Sequence, residues 1–109
     1  MLQQIEALLR APTSGASAPT LARIEDTLTA GYAQALALEA ERLRLERRLG
    51  EVARTAGGPD PDMSRFAEEL SLLAKRLTSA DGELTNLRTL LGSLHDRARS
   101  TRQAALAAR

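Results

Sequence analysis

Cysteine and tryptophan are absent from this 109-residue chain, which carries a single Phe and a single Tyr. Without cysteine there is no disulfide, no thiolate nucleophile and no Cys-ligated metal. Without aromatics the usual filling of a wide core is missing. Strands favour β-branched and aromatic residues, and Val and Ile are as scarce here as the aromatics. No run approaches the ~18 apolar residues of a membrane span. The opening MLQQIEALLR has neither the basic start nor the long apolar stretch of a signal peptide. No sign of charge dominates, with 15 basic residues against 14 acidic ones. Such balance gives no general pull toward nucleic acid or anionic lipid. These absences lead us to expect a cytoplasmic protein with no membrane partner and no cofactor.

Leu and Ala fill the space, with 20 residues each. They are the best helix formers, so the expected fold class is all-α. Leu and Ala suit a narrow seam between helices better than a wide core. Two stretches break the helical pattern. APTSGASAP at 11–19 reads as a flexible linker. AGGPDPD at 56–62 reads as a helix stop and tight turn around Gly57-Gly58-Pro59. Three pieces follow: a short N-terminal helical arm at 1–10, the linker, and an antiparallel helical hairpin over 20–109. The hairpin's helices are expected at about 20–55 and 62–107, coiled-coil-like and assembling into a helical bundle.

The last piece carries the strongest periodicity. Stepping alternately three and four residues from Met63 gives Phe66, Leu70, Leu73, Leu77, Ala80, Leu84, Leu87, Leu91, Leu94 and Ala98. Asp81-Gly82 interrupts this run with a turn dipeptide. The apolar rhythm resumes in phase beyond it, which a broken helix would have no reason to do. One continuous helix is therefore expected, with Gly82 off the seam. The preceding helix has the same period through Leu21, Ile24, Leu28, Gly31, Ala35, Leu38, Arg42, Leu45, Leu49 and Val52.

Folding the two at the Gly-Gly-Pro turn predicts which residues oppose each other. Leu49 meets Leu70, Leu45 meets Leu73, Ala35 meets Leu84, Gly31 meets Leu87, Leu28 meets Leu91 and Ile24 meets Leu94. Flanking charges support this register through Arg48 with Glu69 and Glu41 with Arg76. The same alignment sets Glu25 against His95, Tyr32 against Arg88, and Glu39 against Asp81, the last repulsive. Arg42 is the one charge on the seam, and its long stem can lie over apolar surface while its head reaches water. The longer helix overshoots its partner beyond Ala98. The arm, with Leu2, Ile5 and Leu9 on one face, is expected to fold over Ala105 and Leu106 or to dock on a second chain.

Chemistry-bearing motifs are few. His95 is the only histidine, and a lone His without Cys reads as a surface residue beside Glu25 before it reads as a ligand or base. Glu39, Glu41 and Glu46 alternate with Arg42, Arg44, Arg47 and Arg48, the pattern of a solvated, salt-bridged helix face. Gly57-Gly58 is followed by Pro59 and lacks the Lys and hydroxyl of a phosphate loop. Arg97, Arg99, Arg102 and Arg109 gather at the C-terminus without an acid among them after Asp96. Cations there complement the helix dipole. They also offer a weak contact to phosphate, nucleic acid or an acidic protein.

Surplus hydrophobicity is the most telling feature. Leu36 and Leu43 fall outside the seam of the first long helix, and Leu72 and Leu90 outside that of the second. A two-helix hairpin alone buries little, so these residues predict further helices packed on. The expected function is a non-enzymatic helical interaction or scaffolding module that associates with itself or another helical protein. Helical-hairpin chaperones of flagellar and secretion systems are broadly similar in length and Leu/Ala content. That likeness implies, as the alternative, an export or assembly chaperone holding a partner segment.

Overall fold

The computed structural model of the chain describes residues 1–56 and 63–108. The helices are α1 at Leu2–Arg10, α2 at Leu21–Ala56 and α3 at Met63–Ala107. Helices α2 and α3 pack against each other as a hairpin, and the described residues include no strand. The expected turn at Gly57-Gly58-Pro59 and the expected anion contact Arg109 lie outside the described residues.

Local chemistry sets the helix ends. Ala11 leaves α1 with extended backbone, at φ −65° and ψ 154°, because the ring of Pro12 excludes the helical conformation from the residue before it. Gly15, in the following linker, has a φ of 90°, which side chains disfavour and glycine accepts. Thr20 then caps α2: its Oγ1 accepts a hydrogen bond from the Arg23 N–H at 3.2 Å. This satisfies one of the amides that a helix start leaves without a partner.

Helix α3 runs unbroken through Asp81-Gly82. Gly15 is the only glycine with positive φ among the described residues, so Gly82 is held in helical backbone. The groups that could have capped a break do other work. Thr78 donates from its hydroxyl to the Ala74 carbonyl at 3.0 Å, and Asp81 faces Arg42 of α2. The in-phase seam prevails over the local turn preference.

The chain forms two compact units: Met1–Leu36 with Thr85–Arg109, and Ala37–Leu84. The first contains all three helices. Ile5, Ile24 and Leu94 have no exposed surface, while Leu28, Leu87 and Leu91 are also buried. Gly31 is the close-approach point. A methyl group on it would overlap Leu91 Cδ2 and lie 3.6 Å from Ile5 Cδ1. Leu91, expected opposite Leu28, reaches the gap at Gly31. Leucines on a helix point back toward its N-terminus, and on an antiparallel partner that direction leads from position 28 toward 31.

The arm docks within the same chain, differently from the expectation. Ile5 and Leu8 are its buried pair, with Leu2 and Leu9 half-buried beside them. It reaches the Gly31 gap and leaves Ala105 and Leu106 exposed.

The second unit has two helical stretches and a thinner interior. Leu38, Val52, Leu73, Ala80 and Leu84 are buried, but Leu45, Leu49 and Leu70 are half-buried. Each of its helices has one helical neighbour, so water reaches the seam from the flanks. Arg42 exploits this geometry. Its Nη1 lies 3.5 Å from Asp81 Oδ1 and its Nε 3.8 Å from Glu46 Oε1. The second separation is an ion pair too long for a hydrogen bond, which is why the buried Nε has no hydrogen-bond partner. Arg42 therefore answers Asp81, which had been expected to repel Glu39.

The two glycines of opposite environment give opposite predictions for one substitution. A methyl on Gly82 would meet nothing within 4 Å, so Gly82→Ala should stabilise the protein by up to ~1 kcal/mol through helix propensity. Gly31→Ala gains the same propensity but must displace buried Leu91, an overpacking cost of ~1–3 kcal/mol. Denaturant midpoints should move up for the first and down for the second.

Candidate interaction surfaces

The four C-terminal arginines have different fates. Arg97 turns to the end of α1: its Nη1 donates to the Leu9 carbonyl at 3.0 Å, and its Nη2 to those of Ala11 at 2.8 Å and Pro12 at 2.6 Å. A helix C-terminus presents carbonyls with no partner within the helix, and the rigid guanidinium fork matches several of them at once. Arg97 is thus committed to closing the first unit and is not displayed to an anion. Arg102 pairs with Glu25 across the helices at 2.6 Å. Glu25 had been expected to face His95; the permanently charged arginine takes its place. Arg99 is exposed.

Arg99 and Arg102 line an open groove of about 530 Å³ in the first unit, together with Glu25, Leu28, Thr29, Tyr32, His95 and Ala98. Tyr32 is 47% exposed. One turn on, Leu36 is 66% exposed, the most exposed of the large apolar residues among those described. His95 shares this groove, and no group of three or more His, Cys, Asp or Glu among the described residues is placed to hold a metal ion.

Leu90 departs from the expected partner surface. It is half-buried. Three apolar residues outside the predicted set are displayed, Met1, Tyr32 and Leu106, the last 59% exposed. Tyr32 was legible as the i−4 neighbour of Leu36. Leu106 was masked by the assumption that the arm would cover it.

In the second unit the displayed apolar residues are Leu43 on α2 and Leu72 on α3, 47% and 50% exposed. Arg48 Nη2 and Glu69 Oε1 approach to 2.8 Å at the helix–helix boundary, as their opposition in the sequence implied. The hydrogen bond and charge of Glu69 raise the Arg48 pKa above its ordinary value. Glu41 and Arg76, expected to pair likewise, are exposed and form no ion pair with each other. Holding two long side chains in one geometry costs about as much as an exposed pair returns. Among the described residues, no helix is long and apolar enough to cross a membrane.

The Arg97 clamp can be tested directly. Arg97→Ala leaves three carbonyls without their donor and should lower stability by ~1–3 kcal/mol. Amide exchange should accelerate selectively in residues 2–10, while residues of the second unit keep their protection. Unchanged protection in α1 would mean that Ile5 and Leu8 hold the arm unaided. Searches against protein-family models, curated proteins and solved structures find no match for this chain.

Proposed function

We propose that this protein is a non-enzymatic helical interaction module that self-associates, in its simplest form as a homodimer. The observation carrying this reading is the display of Leu36, Leu43 and Leu72, at 66%, 47% and 50% exposure, on helices whose seam leucines are buried or half-buried. Large apolar side chains left outside a core mark partner surfaces when they recur on helix faces. For identical chains the two-fold dimer is the commonest way to cover them. The half-buried seam of the second unit adds to the case, since another helix against its flank would exclude water from Leu45, Leu49 and Leu70.

The groove beneath Tyr32 favours a second reading, a helical chaperone that holds a segment of another protein. An open, partly apolar channel edged by Arg99 and Arg102 suits an amphipathic segment carrying acidic residues.

Sedimentation equilibrium over a micromolar concentration series separates the two. A monomer–dimer equilibrium is expected for self-association. A monomer at every concentration would refute it and leave the chaperone reading, in which the same leucines await a different chain.

A further inference from the structure

Leu72 sits at the centre of a charge pattern that complements itself. Two acids precede it, Glu68 and Glu69, and two bases follow, Lys75 and Arg76. At 3.6 residues per turn all four lie within about 60° of the direction of Leu72 around α3. Glu68, Lys75 and Arg76 are exposed and make no ion pair among the described residues. Glu69 engages Arg48 through one carboxylate oxygen, and a carboxylate can accept at both of its oxygens. Glu68 and Lys75, like Glu69 and Arg76, are seven residues apart, too far to pair within one helix.

We infer that two copies of the chain meet through this face of α3, antiparallel and related by a two-fold axis at Leu72. The inference rests on the self-association proposed above. When antiparallel helices pack about such an axis, each flank of one helix faces the same flank of the other. Glu68 and Lys75 share one flank of Leu72; Glu69 and Arg76 share the other. The rotation therefore sets Glu68 against Lys75 of the second copy and Glu69 against Arg76 of the second copy. Symmetry makes each contact twice, while Leu72 packs on its own counterpart. Ser79, two turns after Leu72 and within about 20° of its direction, is small and exposed, so the side chain there does not hold a second helix away.

The same operation about Leu43, the other large exposed apolar residue of this unit, gives a worse match. It opposes Glu39 to Glu46 on one flank and Ala40 to Arg47 on the other. Like charges face each other and no opposite charges meet. Charge complementarity thus selects the α3 face over the α2 face. The contact spans only a few helical turns, which places it with the small, weak interfaces, and its exposed ion pairs make it salt-sensitive.

A charge-swap experiment on the full chain tests this. Glu68→Lys and Lys75→Glu each turn two attractive contacts into two repulsive ones, at exposed positions that leave the intrachain pairs intact. Sedimentation equilibrium should show wild-type dimer, weakened by added salt, and about tenfold or greater weakening in each variant. An equimolar mixture of the variants restores opposite charges across the interface and should recover association as a heterodimer. If each variant associates as the wild type does, or the mixture fails to recover, the α3 face is wrong while wild-type association still supports the module. A monomeric wild type would overturn both. Circular dichroism of each variant checks that helicity is retained, and recovery on mixing cannot arise from unfolded chains.

Discussion

At Gly31 the backbone of α2 presents no side chain, and Leu91 of α3 and Ile5 of α1 converge on the vacant volume. The three-helix unit depends on this close approach. A chain without tryptophan, and with one Phe and one Tyr, has no large ring to fill the middle of a widely spaced trio of helices. Its helices must instead come close enough for leucine and isoleucine to meet, and a residue without Cβ at the crossing permits that. The complete burial of Ile5, Ile24 and Leu94 follows from this approach. So does the docking of α1, a nine-residue helix that would be marginal by itself in water. Its stability is borrowed from the surface it covers.

Arginine does the work of positioning. Arg97 joins the end of α1 to α3 through three carbonyls. Arg102 and Arg48 each bridge α2 and α3 through a glutamate. Arg42 lays its stem over the seam and directs its head to Asp81. Each contact is partly exposed, and exposed ion pairs add little net stability. Their value lies in geometry: a planar fork accepts few arrangements, so these contacts discriminate between registers that Leu and Ala alone would tolerate. A seam made of two similar residue types is permissive, and the charges on its flanks remove that permissiveness.

The helices and their continuity through Asp81-Gly82 were legible in the sequence, because a period of 3.5 over many turns outweighs one turn dipeptide. The Arg48–Glu69 pair was legible for the same reason. The placement of α1 was not. Its apolar face could be read as Leu2, Ile5 and Leu9, but the feature that receives it is a missing side chain twenty-six positions after Ile5, and absence leaves no periodic signal. Arg97 was misread because a basic cluster at a helix end fits the helix dipole equally well whether or not a neighbouring helix ends beside it. Leu90 was expected on display and is half-buried. The first two have one origin: a heptad pattern describes how two helices meet and is silent about a third.

That silence bears on the second unit. Among the described residues there, α2 and α3 have no counterpart of α1, and leucines that share the seam pattern of the first unit stay half-open to water. A helix of Leu and Ala has an apolar stripe wider than one neighbour can cover. In the first unit the chain supplies the additional neighbour itself, through a linker with two prolines and a glycine. In the second unit the described residues supply none, and there Leu43 and Leu72 remain displayed. Under the proposed self-association, a second copy provides that neighbour. The charges around Leu72 then do in trans what Arg48 and Glu69 do in cis, fixing the register of an apolar contact too plain to fix its own.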